Sequence, residues 1–167
     1  MKRFKQLITP NIIDDVFCLY SDSNNIVMID GETRDRHTMG DIGMFMLSAF
    51  TITEMQFLWD HIKDSLGASY DFVYGRVLKY TPGCHIPSHV DRKHGKLSKQ
   101  HGYTSLIIQL NSPDSFRGGV PSVHGKKQYL EPGDAVLYDY GEIHDVSPVH
   151  NGSRYVVNLR LRKNNVS

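Results

Sequence analysis

The sequence predicts an α+β fold, mainly β: a sandwich or barrel of short strands with N-terminal helices packed on one outer face. Three observations carry this. From residue 71 the chain turns to short runs rich in β-branched and aromatic residues, separated by Gly/Pro turns. Residues 1–70 instead carry two helical patterns among polar loops. The last strand has an apolar face (Tyr155, Val157, Leu159, Leu161) and a more polar face (Arg154, Val156, Asn158, Arg160), the pattern expected between helices and a polar cavity. One domain is expected from 167 residues, with 1–70 as the flanking part and 71–162 as the β core.

Taken in order, Thr9 can cap a first helix, Pro10 suits its first position, and Ile12, Ile13, Val16, Phe17 and Tyr20 repeat at helical spacing. Ile26–Ile29 reads as a short strand and Gly31–Gly43 as a loop. Thr51-x-x-Glu54 is a capping box for a second helix. Its apolar face is Ile52, Met55, Leu58, Trp59, Ile62 and Leu66; Gly67 can end it, and His61 reads as a surface histidine beside that face. Phe72–Tyr80 is a strand, and Thr81-Pro-Gly83 is turn chemistry. After His89-Val90-Asp91 comes a polar loop to Gly102, then a strand over Thr104–Leu110. Asn111–Asp114 reads as a turn, Phe116–Gly119 as a tight bend, Val123 as part of a short strand and Glu131–Asp134 as a turn. Ala135–Tyr138 and Arg154–Leu161 are the last two strands.

A formal net charge of +1 gives no footprint for nucleic acid or an anionic membrane. Two cysteines, Cys18 and Cys84, make no disulfide framework and read as reduced thiols, so a cytoplasmic location is expected. No apolar run reaches the ~20 residues that span a bilayer.

The chemistry is concentrated at His89-Val90-Asp91. On an extended chain, positions i and i+2 point to one side, so both side chains can reach one ion. His144 is the candidate third ligand, with His150 its rival, and Arg154 follows His144 by ten residues. Two histidines and one carboxylate with the remaining positions open suit non-haem Fe(II). About one His-x-Asp/Glu arises by chance in a chain of this composition, so the surrounding pattern must carry the reading. A buried arginine at Arg154 can grip a carboxylate with two nitrogens, and the Tyr80 phenol can bond the same group. Cys84 next to this pair makes no zinc motif, and Gly118-Gly119 is not a phosphate loop.

Over roughly Phe72 to Leu161 the chain resembles the Fe(II)/2-oxoglutarate-dependent dioxygenases, most closely the prolyl 4-hydroxylase-like branch. The matching pieces are Tyr80–Gly83, His89-Val90-Asp91, Leu106–Asn111, Phe116–Gly119, Glu131–Tyr138 and His144–Tyr155. The resemblance implies a double-stranded β-helix (jelly-roll) core, with Fe(II) on His89, Asp91 and His144. It implies 2-oxoglutarate as cosubstrate, its far carboxylate on Arg154 and Tyr80, with O2 as oxidant and ascorbate as accompanying reductant. The implied reaction is hydroxylation of a peptidyl residue, proline first, with release of succinate and CO2. Free amino acids or small metabolites are the alternative substrates. A jelly-roll module holding a structural divalent ion is the alternative from another class, although such a protein has no need of Arg154.

Three positions depart from the family pattern. Gln109 stands where many relatives have Tyr, Val156 where many have a small hydroxyl residue, and Arg160 in the region where many have Trp. Alternation points Arg160 into the barrel, to meet an acidic group on the substrate or to reach solvent at the mouth.

Overall fold

The computed structural model describes residues 1–22, 45–50, 54–67, 70–91 and 103–164, with backbone alone at 20–22 and 45–50. The expected strand at 26–29, the loops 31–43 and 92–102, and Thr51 and Ile52 lie outside the described residues. So do His94 and His101.

The elements run β1 (Lys2–Phe4), α1 (Pro10–Asp22), β2 (Phe45–Phe50), α2 (Gln56–Leu66), β3 (Tyr70–Tyr80), β4 (Ile86–His89) and β5 (Tyr103–Gln109). They continue with β6 (Phe116–Gly118), β7 (Pro121–Val123), β8 (Lys126–Lys127), β9 (Ala135–Asp139), β10 (His144–Val146), β11 (Val149–Gly152) and β12 (Arg154–Lys163). A major sheet orders its strands β1-β9-β5-β12-β3-β2, and a minor sheet orders β4-β10-β7-β8, with β11 and β6 paired beside them. This is the expected α+β, mainly β architecture. None of the described helices is long and apolar enough to cross a membrane.

The two faces of β12 divide the core as its alternation predicts. Val157, Leu159 and Leu161 join Ile13 and Val16 of α1 and Leu58, Ile62 and Leu66 of α2 in one cluster outside the major sheet. Val156 joins Leu78, Tyr80, Ile107, Val136, Tyr138 and Val146 in a second cluster between the sheets. Each fully buried Leu, Ile or Val stabilises by roughly 1.5–3 kcal/mol, so both faces hold the sheet in place. Phe17 meets Tyr155 edge-on at 5.6 Å, and Trp59 stacks on Phe72 at 5.9 Å, fixing each helix against a strand.

Thr51 of the expected capping box lies outside the described residues. The helix begins at Gln56, with Met55 at the cap position and no side-chain cap hydrogen bond there. Met55 is fully buried, and a Cβ on Gly75 of β3 would lie 2.2 Å from its sulfur. The missing side chain of Gly75 leaves room for that thioether, which anchors the start of the helix on β3.

Two further expectations change. Phe116–Gly119 is not merely a bend: Phe116–Gly118 forms β6, paired with β11. The N-terminal part is not only helices and loops, because β1 and β2 extend the major sheet at its two edges. His61 is exposed on α2, as its position beside the apolar face suggests.

Candidate metal and cosubstrate site

β4 and β10 pair antiparallel with His89 directly opposite His144. The two imidazole centroids are 4.2 Å apart. Asp91, two residues beyond His89, turns its Oδ1 to within 3.8 Å of His89 Nε2 and 3.9 Å of His144 Nε2. One ligand atom from each residue lies within 4.8 Å of the others, close enough for one ion to touch all three. His150 is exposed on β11 and is not part of this group.

The ring orientations are set from behind. His89 Nδ1 lies 2.8 Å from the Pro87 carbonyl and His144 Nδ1 lies 2.8 Å from the Glu142 carbonyl. A carbonyl only accepts, so each Nδ1 carries the proton and each Nε2 keeps its lone pair. Backbone support of this kind is what a metal-ligating histidine requires. Burial lowers the His144 pKa despite the Glu142 carbonyl and Asp91, which act the other way; His89 and Arg160 add to the lowering. The ring is held neutral, the form that binds metal.

Asp91 has a second partner. Arg160 Nη1 donates to Asp91 Oδ2 and to Ser105 Oγ, and Nη2 donates to Oδ1 at 3.3 Å. Ser105 Oγ in turn donates to Oδ2 at 3.1 Å. Burial alone would raise the Asp91 pKa, but the Arg160 hydrogen bond and charge, helped by His144 and His89, hold it below the usual carboxylate value. Arg160 therefore does point inward as expected. There it pairs with the candidate ligand itself.

Arg154 lies across from Tyr80 in the β12–β3 ladder and is 1% exposed. Its guanidinium carbon sits 5.3 Å from the centre of the Tyr80 ring. Nε donates to Gln109 Oε1 at 2.9 Å, while buried Nη1 and Nη2 have no hydrogen-bond partner among the described residues. Burial lowers the Arg154 pKa, against the favourable field of Tyr80 and Tyr138. The Tyr80 phenol is pushed up chiefly by burial. Behind the arginine, Gly119 adopts φ +61, and a Cβ there would lie 3.1 Å from Arg154 Cδ. The glycine of the Phe116–Gly119 motif thus leaves room for the arginine stem. Cys84 is buried with its sulfur 3.3 Å from Thr81 Oγ1, away from the three candidate ligands.

Gln109, Ser105 and the Arg160–Asp91 pair were not assigned roles by sequence reasoning. Alternation along Thr104–Leu110 and Arg154–Leu161 puts all three inside the barrel. The missing information was the register, which sets Arg160 opposite Ser105.

The model of the 2OG-Fe(II) oxygenase superfamily matches residues 75–162, more than half of the chain. The chain belongs to this superfamily. A PKHD-type hydroxylase of Crocosphaera subtropica is 34% identical over 87 residues, covering 49% of this chain and 39% of that protein. One from Pseudomonas putida is 34% identical over 77 residues, covering 44% of this chain and 34% of that protein. The chain thus spans well under half the length of these curated relatives. Among solved structures, the 2OG complex of the viral collagen prolyl hydroxylase of Paramecium Bursaria Chlorella virus-1 has a TM-score of 0.68 at 14% identity, over 96% of this chain and 94% of that one. A Pseudomonas putida prolyl-4-hydroxylase gives 0.64 at 15% identity, over 98% and 92%. At such identities the likeness is one of fold, the jelly roll.

The superfamily uses Fe(II) and 2-oxoglutarate, and the residues of this chain fit both. Two neutral imidazoles and a carboxylate form a donor set for Fe(II). A buried guanidinium with two unpartnered nitrogens suits an incoming carboxylate, since an unmet buried charge is costly and a two-point ion pair relieves it.

Proposed function

We propose that this chain hydroxylates a peptidyl residue, proline by its likeness to the hydroxylases above, using Fe(II), O2 and 2-oxoglutarate. The observation that carries the reading is the pairing of two features in one barrel. One is the histidine–aspartate–histidine cluster, and the other is a buried arginine whose two Nη nitrogens have no partner among the described residues. A module binding a structural ion has no use for the second feature.

In this reading His89, Asp91 and His144 hold the iron, and Arg154 holds the far carboxylate of 2-oxoglutarate. Bound iron with its cosubstrate supplies the oxidation: 2-oxoglutarate is converted to succinate and CO2, and one oxygen atom enters a substrate C–H bond. The protein's own part is positioning. The Pro87 and Glu142 carbonyls keep the two Nε2 lone pairs free for the metal. Gln109 occupies Nε of Arg154 and so leaves the two Nη groups as the binding fork. Tyr80, 2% exposed, covers one face of that fork and excludes water, which strengthens the ion pair.

A peptide substrate is supported by the structures of similar fold. One of them, from Trichoplax adhaerens, is a prolyl hydroxylase in complex with a peptide fragment. Cytoplasmic placement belongs to the same reading, since two cysteines are too few for a disulfide framework.

The test has two stages. Anaerobic addition of Fe(II) and then 2-oxoglutarate should give a visible metal-to-ligand charge-transfer band that weakens in His144→Ala and Arg154→Ala. With O2 and ascorbate, proline-containing peptides should gain one oxygen in step with succinate formation. Turnover of free amino acids but not peptides would replace the substrate assignment. Bound metal without any band would sink the oxygenase reading of the site.

A further inference from the structure

Arg160 stands out because the oxygenase reading gives it no task. Its guanidinium puts three hydrogen bonds onto Asp91 and Ser105, which ties it to a candidate ligand. The Arg160 and Asp91 side chains are only 16% and 17% exposed, so water screens the charge poorly. The contacts are also unequal. Oδ2 takes Nη1 and the Ser105 hydroxyl, while Oδ1 keeps only the longer 3.3 Å contact to Nη2 and faces both histidines.

We propose that Arg160 is a positioning residue for the metal: with Ser105 it holds Asp91 Oδ2, turns Oδ1 towards the two histidines, and makes the ion bind against a fixed positive charge. This rests on the ligand assignment above. Two consequences follow from elementary electrostatics. A carboxylate gripped at one oxygen offers the other as a single ligand atom, which leaves more of the metal's positions open to cosubstrate and O2. A guanidinium already paired with the carboxylate also repels a divalent cation and weakens the donor it shares. The site therefore binds its ion loosely, and the ion exchanges. Ordinary outer-sphere partners strengthen metal binding. Arg160 is set apart because its orienting hydrogen bonds come with a charge of the wrong sign.

The experiment measures the dissociation constant for Mn(II), from the EPR signal of the free ion, in the full chain and four variants. Arg160→Gln can keep a donor to Asp91 and removes the charge; it should bind Mn(II) about tenfold tighter or more. Arg160→Lys restores the charge and should return the constant to near wild type. Ser105→Ala loosens Oδ2 without touching the charge and should bind about tenfold more weakly. His144→Ala should abolish binding. Wild-type binding that Arg160→Gln leaves unchanged or weakens overturns this inference alone. Equal failure of wild type and His144→Ala to bind removes the ligand assignment and this inference with it. If circular dichroism shows that Arg160→Gln does not fold, Ser105→Ala decides: weaker binding supports the proposal, and an unchanged constant overturns it.

Discussion

Replacing Arg154 with methionine should stabilise the ligand-free protein while destroying its response to 2-oxoglutarate. The guanidinium is 1% exposed, with Nη1 and Nη2 unpartnered. Each unmet buried donor costs roughly 1–3 kcal/mol, and a charged group lies at the upper end. Against that stands the loss of one hydrogen bond, from Nε to Gln109 Oε1 at 2.9 Å, worth about 1.5–3 kcal/mol for a charged donor. Methionine fills most of the vacated volume, so little cavity penalty is added. The net expectation is a gain of about 2 kcal/mol, or about 4–8 °C in melting temperature for a chain of this size. Wild type with Mn(II) should gain about 2.7 kcal/mol when 2-oxoglutarate is present at a hundred times its dissociation constant. Arg154→Met should gain nothing from the same addition. Thermal unfolding followed by circular dichroism, with and without Mn(II) and 2-oxoglutarate, reads all four conditions. A variant that melts below wild type without ligand, or that still shifts with 2-oxoglutarate, refutes the reasoning.

Gln109→Leu removes the acceptor for Arg154 Nε and should weaken 2-oxoglutarate about tenfold in a calorimetric titration with Mn(II), leaving Mn(II) affinity alone. Gly75→Ala drives a methyl into the Met55 sulfur and Leu159 Cδ2, and urea unfolding should show a loss of about 1–3 kcal/mol. Asp134 is 1% exposed and accepts from Lys5 Nζ at 2.6 Å, Arg3 Nη2 at 3.2 Å and the Gln6 and Glu131 amides at 3.0 and 3.3 Å. Burial would raise its pKa, but these donors win and depress it. The folded pKa is then below the unfolded one, so the unfolded chain binds the extra proton. Stability from Asp134 is present above the unfolded carboxylate value near ~4 and is lost as pH falls through the folded pKa. Asp134→Asn should cost about 2 kcal/mol at neutral pH, with the gap to wild type closing in acid; a gap constant with pH contradicts this account.

Legibility followed period and length. β12 was readable because ten residues of alternation give two full faces, and those faces do divide the core. β6, β8 and β10 are two or three residues long, too short for any period to register. β11, at four residues, interrupts its polar and apolar positions too. The start of α2 was less legible: the helix begins at Gln56 with buried Met55 at its cap, while Thr51 lies outside the described residues. At the site, His89, Asp91, His144 and Arg154 were legible as residue types at telling offsets. The Arg160–Asp91 pair was not, since it joins strand and loop from distant parts of the chain, and only cross-strand register brings Arg160 beside Ser105.

The opposition of His89 and His144 across one ladder has a consequence for how this protein can change. Two of its candidate ligands are neighbours by strand pairing, so a slip of one residue in either strand would send an imidazole to the wrong face. The placement of these two candidate ligands is thus inherited from the hydrogen-bonding pattern of the sheet, while the third, Asp91, stands in the connection after β4. Lineages and engineers can lengthen or swap the connections that carry no candidate ligand while the two imidazoles stay opposite one another. Substitutions that bend β4 or β10 have no such freedom, because every one of them also edits the chemistry.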